Sequence, residues 1–139
     1  MTNMDLARSY LFKARARLRI LDMLMEEKDF SDVVRQGQEV VELCQKGILR
    51  RAGIDPPKWH DVGGIIVSHI GRFEQDLHND LRISAEISKR LRKERELAFY
   101  GDIDFIPSEE YSREDAQRVV GDARFVAALA EKIVGNTDG

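Results

Sequence analysis

The chain has 139 residues, 42% hydrophobic and 34% charged, with 22 basic and 25 acidic side chains and a net charge of −3. That is too apolar for a disordered segment and too charged for a membrane protein; the longest uncharged stretch, Val62 to Gly71, is about half a membrane span. One domain of residues 1–139 is expected, and a chain of this size buries roughly two-thirds of its unfolded surface without staples.

The period of the apolar residues is helical throughout. Leu6, Tyr10, Ala14, Leu18, Leu21 and Met25 step by three or four and predict a first helix near residues 4–27. Asp29 or Ser31 can cap a second, which carries Val33, Gly37, Val40, Val41, Cys44 and Ile48 on one side and ends near Arg50 and Arg51, before Gly53. Asp55-Pro56-Pro57 breaks the chain. A third helix starts at His60 or Asp61, with Val62, Ile65, Ile66, His69, Ile70 and Phe73 in register. A fourth runs from Asn79 or Asp80 to Tyr100-Gly101, through Ile83, Ile87, Leu91 and Ala98. After the acidic segment Asp102–Glu110, Ser112 caps a fifth helix to about Val134, with Val119, Ala123, Val126, Ala127, Ala130 and Ile133 on its apolar side, and residues 135–139 are expected to fray. No strand pattern and no internal repeat appears. The expected fold is all-α: an up-and-down antiparallel four-helix bundle with an additional C-terminal helix.

Chemistry is sparse. The lone Cys44 excludes an internal disulfide and a Cys-based zinc site and suits a reducing cytoplasm; Met1 to Asp5 has neither the basic segment nor the apolar run of a signal peptide. His60, His69 and His78 form no pair with ligand spacing, so neither a metal site nor a cofactor is expected, and His69 reads as a hydrogen-bonded core residue. Gly63-Gly64 lies in a helical pattern without a phosphate-loop sequence and reads as close helix packing. No serine elbow or cysteine nucleophile motif is present. Charge is unevenly spread: five basic residues and no acidic one lie between Arg8 and Arg19, and five basic residues with only Glu94 between Lys89 and Arg95. Such runs read first as solvated helix faces.

The segment Leu91 to Asp102 is unusual. Arg95 follows Leu91 by four and Ile87 by eight, which puts it on the extension of the apolar stripe. A guanidinium there must be paired or face a wet cleft. Arg92, Arg95 and Phe99 step along one surface, where an arginine fork beside a flat ring can hold a phosphate next to a base. The competing reading is that Arg95 pairs with Glu39 or Glu42 of the second helix and only braces the bundle.

The chain resembles the HEPN family of small helical domains over most of its length. Ala7-Arg8-Ser9-Tyr10 to Ala14 looks like the family's opening helix, Lys28 to Val34 like its first turn, and Glu39-Val40-Val41-Glu42 with Lys46-Gly47-Ile48-Leu49 like its second helix. Gly53 to Pro57 and His60-Asp61 follow in order, and Leu91 to Gly101 looks like the helix with the characteristic arginine. The family's catalytic pattern is an arginine, usually a polar residue next, then a histidine; paired copies face each other across a dimer and cleave RNA without metal. Arg95-Glu96 matches the first part, but Tyr100 takes the histidine's place. The resemblance therefore implies a homodimeric, catalytically degenerate nucleotide- or RNA-binding relative of RNase toxins. Arg92 and Arg95 would meet phosphate, Glu96 would orient Arg95, and Tyr100 would stack or hydrogen-bond. It also implies a minimal nucleotidyltransferase as a possible partner in a toxin–antitoxin pair, a cytoplasmic location and no membrane association. In related members that partner modifies a tyrosine beyond the histidine; Asp102 stands at that spacing here, so the modification is not carried over. Two alternatives stay open: an active metal-independent endoribonuclease using Arg95 and Tyr100, and a non-enzymatic helical interaction module.

Overall fold

The computed structural model describes residues 1–58, 61–100 and 111–135, with the side chains of all of these except residues 94–100. His60, Gly101, the acidic segment 102–110 and the tail 136–139 lie outside the described residues.

Helix α1 spans Asn3–Glu26. Its start is a reciprocal cap: the Asp5 N–H donates to Thr2 Oγ1 at 3.1 Å, and the Thr2 N–H donates to Asp5 Oδ2 at 3.0 Å. These hydrogen bonds hold the Asp5 carboxyl below its ordinary range. At the other end the Asp29 N–H reaches Leu24 O and the Lys28 N–H reaches Met25 O, which satisfies two terminal carbonyls. The turn requires the left-handed conformation at Lys28, with φ 61°. A lysine there pays a steric cost that glycine does not. Lys28→Gly is therefore expected to stabilise the protein by up to about 1 kcal/mol, a rise of roughly 2–4 °C in Tm by calorimetry.

Helix α2, Phe30–Arg51, starts on Asp29, whose side chain accepts from the Asp32 N–H. It ends with the same pair of hydrogen bonds at Gly53, φ 78°. It is buried nearly all round, with Val34, Gln38, Leu43 and Gln45 covered as well as the expected apolar side. The reason is its place: α1, the short α3 (Val62–Ser68), α4 (His78–Tyr100) and α5 (Arg113–Gly135) all pack on it. Two glycines let neighbours approach. A Cβ on Gly37 would lie 2.2 Å from Val119 Cγ1 of α5, and one on Gly47 would lie 3.0 Å from Leu11 Cδ1 of α1.

Cross-helix pairs give the directions. Arg15 donates to both oxygens of Glu131, the Nη2 bond measuring 2.7 Å, and Arg124 bonds Asp22 at 2.7 Å, so α1 and α5 are antiparallel. Arg113 lies over the Phe30 ring while Gly37 meets Val119, so α2 and α5 are parallel. Gln45 reaches Ser84, and Gln38 and Arg92 line one cleft, so α2 and α4 are antiparallel. The all-α up-and-down bundle expected from the sequence is what forms. Its four long members are α1, α2, α4 and α5. Among the described helices no one is long and apolar enough to cross a membrane.

The third element departs from its expected length. α3 stops at Ser68, and two short 3-10 turns, Ile70–Arg72 and Gln75–Leu77, lead into α4, which begins at His78. Ser68 Oγ and His69 Nδ1 both donate to Ile65 O, at 2.8 and 3.0 Å, and the His69 N–H is shared between Ile65 O and Ile66 O at 3.2 and 3.1 Å, so the last turn tightens toward the 3-10 geometry that follows. His69 is thus a half-buried terminating residue rather than a core one, and His78 Nε2 donates to Phe73 O at 2.9 Å.

Cys44 lies in the core, 1% exposed. Burial, with Glu131 nearby, pushes its thiol up to about 12 despite Arg15. Because the folded value is raised, the stability it reflects is present below the unfolded thiol's range and is lost as pH rises through the folded value. Cys44 is expected to react with an aromatic disulfide reagent only at the rate of global unfolding. Absorbance under native conditions and in denaturant measures this, and rapid native labelling is the contrary result.

Candidate functional site

Helix α4 is continuous through the segment singled out in the sequence, so Arg92, Arg95, Glu96 and Tyr100 share one helix. The side chains of Arg95, Glu96, Phe99 and Tyr100 lie outside the described residues; that of Arg92 is described. Arg92 Nη1 stands 4.0 Å from Asp61 Oδ1, with both side chains about two-fifths exposed. The same Asp61 oxygen accepts from the Gly63 N–H at 3.1 Å and so caps α3. One carboxylate therefore fixes the start of α3 and faces the cation three positions before Arg95. Such an exposed pair holds direction more than energy.

Beneath Arg92 runs a polar seam between α2 and α4, lined by Gln38, Glu42, Gln45, Asp61, Ser88 and Arg92. Gln45 is 1% exposed and donates from Nε2 to Ser84 O at 3.0 Å; Ser84 and Ser88 return their hydroxyls to Leu81 O and Ala85 O. Gln38 donates to Glu42 Oε2 at 2.9 Å, and Lys46 Nζ stands 3.4 Å from Glu42 Oε1. Both oxygens of Glu42, one of the two bracing partners considered for Arg95, are thus engaged from its own helix. By spacing, Arg95 comes seven residues after Ser88 and four after Leu91, in the register of the face that α4 turns to this seam.

The remaining basic residues of α4 divide. Arg90 is ion-paired to Asp122 of α5 and ties those helices together, while Arg82, Lys89 and Lys93 are exposed. Gly63 does what close packing predicts: a Cβ on it would lie 2.8 Å from Ala85 Cα and 2.5 Å from Ser88 Oγ. Among the described residues, the atom nearest a Cβ on Gly64 is Asp61 Oδ2, at 3.4 Å. The seam itself was not anticipated. Its signal was present as Gln38 and Gln45 seven apart on α2, opposite Ser84 and Ser88 four apart on α4.

At the other end of the bundle Arg51, Arg72, Lys132, Glu74 and Asp76 rim an open cleft of about 250 Å³ floored by Phe73, Leu77 and Ile133. Three helix ends meet there, and cations at such ends offset the partial negative charge of the terminal carbonyls. Arg72 Nη1, for one, donates to Ala52 O at 3.4 Å.

Neither the curated proteins nor the solved structures yielded a match to this chain. A family model, that of the HEPN domain, matches residues 7–133. That span takes in nearly all of the described helices, from the buried Ala7 of α1 to Ile133 of α5, and includes the Arg92–Tyr100 segment. With a match of that length on an all-helical bundle, the chain belongs to the HEPN family.

Proposed function

We propose that this HEPN domain binds nucleotide or RNA along the C-terminal half of α4, as a homodimeric and catalytically degenerate relative of RNase toxins. Arg95 supplies charge to phosphate, Glu96 orients it, Arg92 adds a second cation, and Tyr100 stacks or hydrogen-bonds. The observation that supports this most is the seating of Arg92: a cation at a polar seam, facing an aspartate that also caps α3, one helical turn before Arg95. A helix face that carries polar residues into a core costs desolvation unless those groups are paired. Here they are paired. A two-fold pairing of α4 ends would gather two Arg95–Tyr100 segments at one cleft. A nucleotidyltransferase partner is the pairing that the family suggests.

The test is binding of fluorescent single-stranded RNA and of a nucleoside triphosphate over a salt series. Phosphate contacts through Arg92 and Arg95 give an affinity that falls as salt rises, with a slope set by the number of phosphates met. No binding at low salt would point to the interaction-module reading.

A further inference from the structure

The cleft of about 250 Å³ at the end of the bundle where α2 and α5 finish has a rim of both signs. Arg51 comes from the last turn of α2, Arg72 from the first 3-10 turn and Lys132 from the last turn of α5. Glu74 and Asp76 stand among them, on the segment that leads into α4. Elsewhere the chain closes such charges on each other, as in Arg15 with Glu131, Arg90 with Asp122 and Arg124 with Asp22. Here, among the described residues, no ion pair joins the rim charges. Arg72 is steadied by Ala52 O, which takes one of its five N–H groups. The floor is apolar: Phe73, Leu77 and Ile133 line it and are half-buried.

We propose that this cleft binds a small zwitterion with an apolar side chain, of the free α-amino-acid class. Size selects a small molecule, since drug-sized ligands take pockets of roughly 300–1,000 Å³. The rim selects a ligand that carries both signs. The α-carboxylate meets the guanidinium fork of Arg72, which a carboxylate fits with two hydrogen bonds, and Arg51 and Lys132 add positive charge. The α-ammonium meets Glu74 and Asp76. Helix ends favour the ammonium as well, because α2 and α5 both present their C-terminal carbonyls here. Those carbonyls and the two carboxylates repel the phosphates of a nucleotide or an RNA, so the cleft is not a second copy of the α4 site. The floor selects the side chain: a leucine- or phenylalanine-like group leaves water against Phe73, Leu77 and Ile133.

Size also sets the strength. So few atoms in an open cleft bind weakly, with a dissociation constant near the millimolar range. The site goes beyond RNA binding by α4 and stands apart from it: about 21 Å of helix separates His78, next after Leu77, from Arg92.

The experiment is isothermal titration calorimetry of the full chain with L-leucine and L-phenylalanine, taken to tens of millimolar. Three controls each lack one part: leucinamide the carboxylate, N-acetyl-leucine the ammonium, and glycine the side chain. Saturable one-to-one binding of either amino acid is expected, with each control weaker by at least about tenfold. Arg72→Gln should weaken leucine by a similar factor. Glu74→Gln/Asp76→Asn should do the same while N-acetyl-leucine does not weaken. Circular dichroism should be unchanged in both variants, since these side chains are exposed. Single-stranded RNA added to the leucine complex should not displace the amino acid, so the functional proposal can fail without touching this one. No saturable heat with either amino acid, a capped form that binds as tightly as leucine, leucine binding unaltered in both variants, or displacement by RNA would each overturn the proposal.

Discussion

Gly37→Ala is expected to destabilise the bundle by up to about 2 kcal/mol, although alanine is the better helix former. The added Cβ would lie 2.2 Å from Val119 Cγ1, and Val119 is only 2% exposed. A valine in a helix has one dominant rotamer, so the methyl cannot simply turn away. Either Val119 takes a poor rotamer or α2 and α5 move apart, and overpacking of this kind costs about 1–3 kcal/mol. Helix propensity returns about 1 kcal/mol of that. Gly121 on α5 supplies the opposite sign: among the described residues a Cβ there meets nothing within 4 Å, so Gly121→Ala should stabilise by roughly 0.5–1 kcal/mol. Urea melts of both variants decide the matter. In Gly37→Ala/Val119→Ala the new methyl has room, and the double variant should lose less stability than the sum of its parts. A Gly37→Ala protein as stable as the wild type would mean that the α2–α5 contact has slack.

That contact is also a feature that apolar period and capping do not encode. Helices α1, α2 and α5 begin and end within a residue or two of their expected limits, because apolar period and cap chemistry agree at Asp29, Gly53 and Ser112. The third helix was overdrawn. Ile70 and Phe73 prolong its apolar period, but period reports which face is buried, not how the backbone bonds, and at His69 the N–H is already shared between Ile65 O and Ile66 O. Gly37 was read as one more small residue on an apolar side; which helix comes closest to it is a tertiary fact. The same holds for Gln38 and Gln45, which lie outside the expected apolar side and are buried all the same. Phe12 stood outside the stripe that defined α1, and the structure leaves it outside the core as well. Of the site, the residue types in Leu91–Tyr100 and their place on one helix were legible. The Asp61 cap that faces Arg92 was not, because it depends on how α3 docks beside α4.

Arg95→Ala is expected to weaken RNA or nucleotide binding by about 1.5–3 kcal/mol, the range for a lost hydrogen bond to a charged group, or roughly 10–150-fold in Kd. Arg95→Lys should recover only part of it, since a point charge cannot reproduce the planar fork. Arg92→Ala should cost less, because Arg92 is partly exposed and already faces Asp61. In the proposed reading, the position that governs chemistry is Tyr100. A histidine titrates near pH 6.5 and exchanges protons at neutrality; a tyrosine titrates near 10 and rarely does. Tyr100→His would therefore place a group of matched pKa beside the phosphate proposed for Arg95, and it should create or raise RNA cleavage. Its rate should rise as the imidazole loses its proton to serve as base and fall as the protonated form needed as acid runs out, a bell across roughly pH 5–8. If the bell appears in Tyr100→His and vanishes in Arg95→Ala/Tyr100→His, the two residues act on one phosphate. Helical content should survive every one of these changes. Unchanged binding in Arg95→Ala together with a large loss of stability would mean that Arg95 braces α4 against α2 and touches no ligand.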